Sequence, residues 1–227
     1  NTQSYADIAV LSDTTYYYAV TASDNLGNEN KSVSATQATV DDLTPPVVII
    51  DSPQSTTYST SQITLSITLN EAATCTYQLN NHSSQPITTG AIISASQGYN
   101  SINVLCTDDS NNQGSASVNF TVDSLPPPQI ENFKIMQVGP GTKVQASWDP
   151  SPASDLDVYR FYVLRGNYSE IGEGWFSMNT TALNITRFGL PGEVEYFASV
   201  TAVDTTGNEN RTVNTVNFTT PDVDPPG

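Results

Sequence analysis

Acidic side chains gather beside prolines at two places in this sequence: Asp41-Asp42 ahead of Pro45-Pro46, and Asp123 ahead of Pro126-Pro127-Pro128. Later in each following stretch, Asp108-Asp109 and Asp204 stand in turn-rich segments. Hard carboxylate oxygens are what Ca²⁺ accepts, about six to eight at a time in a flexible shell. Asp41, Asp42, Asp108, Asp109, Asp123 and Asp204 are therefore candidate calcium ligands, provided the fold returns each later turn to the earlier linker. The bland reading is that Asp and Asn are simply good turn formers. No other cofactor is indicated.

Two cysteines are present, Cys75 and Cys106. Each lies among alternating apolar residues, Cys75 with Tyr77 and Leu79, Cys106 with Ile102 and Val104, so both point inward from strands. A bridge between them implies an oxidising, extracytoplasmic setting; the alternative is two buried thiols. Two thiols and the distant His82 do not make a tetrahedral metal set.

Asn-x-Ser/Thr sequons fall at Asn30, Asn81, Asn119, Asn167, Asn179, Asn184, Asn210 and Asn217. A chain this rich in Asn, Ser and Thr holds about five by chance, so position matters more than number. Asn119, Asn184 and Asn217 each sit between two apolar strand residues and so face solvent, where a glycan could attach.

Catalysis has little to stand on. His82, the single histidine, lies in the loop Asn80–Ser84, and no His/Asp/Ser or Cys/His set exists to activate a nucleophile. The carboxylates sit mostly in turns rather than as a cleft pair. Trp175-Phe176, between Gly172-x-Gly174 and Ser177, reads either as a sugar-stacking platform or, more simply, as buried strand aromatics. A Lys–Asn isopeptide crosslink is impossible in residues 45–125, which lack Lys and Arg. Lys134 and Lys143 leave it open further on.

Composition narrows the partners. Against 7 Lys+Arg stand 23 Asp+Glu, a net charge of −16. That excludes nucleic acid, whose recognition needs a basic footprint, and argues against docking on anionic lipid. No stretch approaches about 18 consecutive apolar residues, the minimum for a spanning helix.

The elements that would position these residues read as β throughout. Ile63, Leu65, Ile67 and Leu69 alternate with Thr64, Ser66 and Thr68; Val118, Phe120 and Val122 alternate with Asn119 and Thr121; Val216 and Phe218 flank Asn217. That is the period of half-buried strands, and no window keeps helical spacing over three turns. Proline clusters, the last at Pro225-Pro226, end strands and stiffen linkers. They divide the chain into 1–44, 45–125 and 126–227. An ungapped repeat supports the division: residues 16–46 laid over 196–226, at an offset of 180, share 14 of 31 residues. A looser copy is Val104–Asp108 with Asn111-Asn112. The same offset leaves residues 1–44 as the C-terminal part of a domain whose first half would precede Asn1. Its three expected strands, near Tyr5–Leu11, Tyr16–Ala22 and Val33–Val40, would need completion by preceding strands or by a neighbouring copy.

Residues 126–220 resemble a fibronectin type III domain. The resemblance rests on Trp148 late in its strand, the loop Asp149-Pro150-Ser151-Pro152, the Tyr-rich strand Tyr159–Arg165, and Leu190 ahead of Tyr196. Residues 4–40 are similar to the second half of that domain, with Val10 and Tyr16 at the corresponding spacing. Residues 45–125 resemble immunoglobulin-like domains of archaeal and bacterial surface proteins, on Thr44-Pro45-Pro46, Asn70–Asn80 and Cys106-Thr107-Asp108. The resemblance implies an all-β chain of tandem antiparallel sandwiches. It also implies a tyrosine corner, in which the Tyr196 hydroxyl bonds the backbone a few residues upstream. In such a sandwich the loop between the last two strands meets the preceding linker, which brings Asp108-Asp109 to Asp41-Asp42 and Asp204 to Asp123. The functional expectation is a non-enzymatic segment of a secreted surface protein: a stalk, surface layer or filament. Its partners would be neighbouring modules of the longer chain or other copies of it. Two alternatives stay open: an adhesin whose loops bind glycan or a cell-surface protein, and spacer modules of a secreted polysaccharide hydrolase.

Overall fold

The computed structural model describes residues 4–88, 90–138 and 141–222. Pro225-Pro226 and the linker around it lie outside the described residues. The described chain is all-β, without a helix and therefore without one long and apolar enough to cross a membrane.

Near the start, β1 (Thr15–Tyr18) pairs antiparallel with β2 (Thr36–Thr39). Residues Tyr5–Leu11, expected as a third strand, form no ladder. Alternation shows which face a segment would bury, but a strand exists only where a partner completes its hydrogen bonds.

The next strands are β3 (Val48–Ser52), β4 (Thr57–Tyr58), β5 (Gln62–Thr64), β6 (Ser66–Leu69), β7 (Ala73–Leu79), β8 (Gln85–Pro86), β9 (Ile92–Ser94), β10 (Gly98–Asp108) and β11 (Gln113–Val122). One sheet runs β4-β11-β10-β7-β8, with β4 parallel to β11. The run expected as a single strand over Ile63–Leu69 is two: β5 pairs β9 and β6 pairs β3. The break falls at Leu65, which is buried. Cys75 and Cys106 face each other across the β7–β10 ladder and are joined by a disulfide, packed among Val48, Ile50, Ile67 and Val104.

The remaining strands are β12 (Lys134–Gln137), β13 (Val144–Ser147), β14 (Leu156–Leu164), β15 (Met178–Thr180), β16 (Asn184–Arg187), β17 (Glu195–Asp204) and β18 (Val216–Thr219). They form the sheets β12-β13-β16 and β15-β14-β17-β18. Between these layers Trp148, Tyr159, Phe161, Ala198, Val200 and Ala202 are buried together, with Trp148 edge-on to Tyr159. This is the sandwich core that the alternation and Trp148 led one to expect. The outer face of β14 and β17 carries a polar strap. Glu209 accepts from Arg160 Nη1 (2.8 Å), the Tyr162 hydroxyl (2.8 Å) and the Thr201 hydroxyl.

The tyrosine corner takes two forms. In the first segment the Tyr16 hydroxyl accepts from the Leu11 amide at 2.8 Å. At the matching position of the last segment stands Pro191, which has no N–H to donate. There Thr220 closes the corner instead, donating its hydroxyl to Pro191 O (2.6 Å) and accepting from Val194 N (3.1 Å). The expected bond from the Tyr196 hydroxyl is thus replaced because proline took the donor away.

The chain separates into two compact units. One comprises Asn1–Thr56, Gln62–Ala95 and Asn100–Phe120; the other comprises Thr57–Ser61, Ser96–Tyr99 and Thr121–Gly227.

Candidate functional site

Three loops share one design. In Asp24–Asn28, Asp108–Asn112 and Asp204–Asn208, the first Asp accepts from backbone amides two and four residues on, and the closing Asn returns its side-chain amide to the same carboxylate. The residue before that Asn has positive φ in each: Gly27 84°, Asn111 68°, Gly207 89°. Gly and Asn are the residues that adopt this conformation at least cost, which accounts for the repeated Asp-x-x-Gly/Asn-Asn spacing.

Two of these loops also grip a linker. Asn112 Nδ2 donates to Asp42 O at 2.9 Å, and Asn208 Nδ2 donates to Asp123 O at 2.8 Å. Thr206 adds its hydroxyl to the Asp123 carboxylate at 3.2 Å. Each gripped aspartate precedes a proline cluster whose second member, Pro46 or Pro127, is buried. At the first linker Thr44 N donates to Asp42 Oδ1 (2.9 Å) and Val47 N to Asn70 Oδ1 (2.6 Å). Gly114 lies beneath it, and a Cβ there would stand 1.8 Å from Pro46 O. At the second, Gln97 donates to the Asp123 carboxylate (2.9 Å) and accepts from Ser124 N (3.0 Å).

The grips draw carboxylates together. Asp42, Glu71 and Asp108 place oxygens within 4.8 Å of one another, and so do Asp123, Asp155 and Asp204. Of the residues expected from sequence, Asp42 meets Asp108 and Asp123 meets Asp204; Asp41 and Asp109 are exposed and lie outside the triads. Glu71 and Asp155 were missed. Both stand just ahead of the strand that pairs with the loop's own strand, β7 with β10 and β14 with β17, and that shared position is the signal that would have found them. Donors favour the charged form of two of these carboxylates. The Thr44 amide and the Ser12 hydroxyl hold Asp42 below the ordinary carboxylate range. Burial pushes Asp204 up, but Asn208 and Thr206 outweigh it and hold that carboxyl low.

The other candidates sort as follows. The sequons Asn30, Asn81, Asn119, Asn167, Asn179, Asn184 and Asn217 are exposed, and Asn210 is half-buried. His82 is an exposed loop residue. Trp175 and Phe176 correct the buried-strand reading: they lie in a loop, exposed, with Phe176 at 76% and Trp175 edge-on to Tyr168. Gly172 and Gly174 beside them favour a loop over a strand.

No family model matches this sequence, and no curated protein matches it either. Among solved structures, a crystal structure of domains from titin superposes with a TM-score of 0.56 at 15% identity, covering 94% of this chain and 77% of that one. The FN1–FN3 domains of chicken CNTN1 give 0.48 at 11%, covering 93% and 76%. Fibronectin(III)-like modules of Clostridium thermocellum CbhA give 0.44 at 17%, covering 77% and 94%. With the sheets, the core and the titin superposition in hand, the chain is one of tandem β-sandwiches of fibronectin type III and immunoglobulin-like fold.

Proposed function

We propose that this chain is a non-enzymatic spacer segment of a secreted, modular surface protein, with modules at 1–44, 45–125 and 126–227. The observation that carries the reading is the duplicated linker grip: in two places a side-chain amide from an Asp-x-x-x-Asn turn caps the linker carbonyl ahead of a proline cluster. A binding or catalytic loop has no need to repeat itself on a linker, whereas a stiff connector does. The disulfide supports an oxidising location, and the surplus of negative charge opposes self-association. The adhesin alternative draws on exposed Trp175-Phe176, and glycan-array binding that Trp175→Ala abolishes would carry it.

Gly114→Ala tests the grip. The added methyl collides with linker backbone rather than with a movable side chain, so the linker must lift. Expected are a loss of about 1–3 kcal/mol and faster amide exchange at Leu43, Thr44 and Val47, with tryptophan fluorescence of the last sandwich unfolding as before. Unchanged exchange at those three amides would sink the idea.

The acidic triads extend the proposal to Ca²⁺. Ligand oxygens about 2.4 Å from a common ion stand no more than about 4.8 Å apart, which each triad satisfies. Millimolar Ca²⁺ is expected to raise the melting temperature of chelator-treated protein, and Asp42→Asn with Asp123→Asn to remove the rise. Identical melts with chelator and with Ca²⁺ would discard it.

A further inference from the structure

The repeat at offset 180 allows the first segment to be compared residue by residue with the last, because β1 aligns with β17 and β2 with β18. In the last segment Tyr196, Ala198, Val200 and Ala202 are buried beneath β12-β13-β16. Among their counterparts Tyr16 is half-buried, but Val20 is 88% and Tyr18 36% exposed, in a groove of about 760 Å³ lined also by Tyr5, Val10 and Val40. The edge is open too. β17 has ladder partners on both sides, β14 and β18, whereas β1 among the described residues pairs with β2 alone. A carboxylate gives a third difference. Glu29, the counterpart of Glu209, keeps its bond from Thr21, the counterpart of Thr201. The offset leaves no position within this chain for counterparts of Arg160 and Tyr162.

Face, edge and carboxylate all lack the same neighbour. We propose that β1 and its continuation to Thr21 receive on their open edge an antiparallel strand of β14 type, with an arginine opposite Thr21 and a tyrosine opposite Ala19. These are the registers Arg160 and Tyr162 hold against Thr201 and Ser199. A three-stranded lid matching β12-β13-β16 closes over Val20. Both come from polypeptide N-terminal to Tyr5 in the longer protein. A second copy of this chain is a poor donor, because its β14 is already flanked by β15 and β17 and would have to leave its own sheet. Tyr18 stands where Ala198 is fully buried, so the lid residue facing Tyr18 is smaller than its counterpart in the last sandwich.

The test uses the protein's own repeat. Residues 126–195 are fused directly ahead of Tyr16, in place of 1–15, in the otherwise intact chain. The graft is made with Tyr18 retained and with Tyr18→Ala, which relieves the crowding expected from a lid shaped for alanine. In at least the relieved graft, amide exchange across Tyr16–Ala22 should slow about 100-fold and a new cooperative thermal transition should appear. Glu29→Gln should lower that transition while leaving the melting of the ungrafted 227-residue chain unchanged. Two results overturn the proposal: neither graft gains protection at those amides, or the ungrafted chain forms a concentration-dependent dimer in which the same amides are protected. The second would make another copy the occupant.

Discussion

Replacing Glu209 by alanine is expected to destabilise the last sandwich by about 3–4 kcal/mol, because removing one partner of a buried pair strands the other. The Glu209 side chain is 4% exposed and serves Arg160, the Tyr162 hydroxyl and the Thr201 hydroxyl together. Alanine leaves one charge and two hydroxyls without their acceptor. Arg160 is 33% exposed and recovers some hydration, which places the loss toward the lower end for buried pairs. Glu209→Gln keeps an acceptor and should cost about half as much. Both tryptophans, Trp148 and Trp175, lie in this part of the chain, so denaturant unfolding followed by tryptophan emission isolates it. A loss under about 1 kcal/mol for the alanine variant would mean that the strap is dispensable.

Reducing the Cys75–Cys106 bridge should cost about 3–4 kcal/mol, the chain-entropy value for a sequence separation of 31 residues. The bond joins residues already opposed in the β7–β10 ladder and sits within the core, so Cys75→Ala with Cys106→Ala adds a modest packing loss to the entropic one. The change should appear in tyrosine near-ultraviolet circular dichroism of the first unit and be absent from tryptophan emission. Two alkylatable thiols in the native, non-reduced protein would show that the bridge does not form.

What could be read from sequence was decided by local rules. Alternation at Val118–Val122 and Val216–Phe218 located strands correctly because one buried face leaves a period-two record whatever the strand pairs with. The same rule could not see the break at Leu65, since burial alternates without interruption through Ile63, Leu65, Ile67 and Leu69 while the pairing passes from β9 to β3. Nor could it show that Tyr5–Leu11 has no ladder. Asp42 with Asp108, and Asp123 with Asp204, followed from knowing which pole of a sandwich meets the preceding linker. Glu71 and Asp155 become visible only once β7 is known to pair with β10 and β14 with β17, and the packing of Gly114 on Pro46 joins elements distant in sequence with no period or spacing to announce it. Trp175-Phe176 was misplaced because aromatic content outweighed the two glycines just ahead of them, Gly172 and Gly174.

The short parallel pair between β4 and β11 has a mechanical meaning. Thr57 and Tyr58 lie alongside Thr121 and Val122, and Asp123 N extends the contact to Tyr58 O at 2.8 Å. Because the two strands run the same way, the chain arrives at the start of β4 and departs from the end of β11, at opposite ends of the patch. Tension along the polypeptide therefore slides one strand past the other. The hydrogen bonds share that load at once, whereas an antiparallel pair at the same place would present both tails at one end and peel open bond by bond.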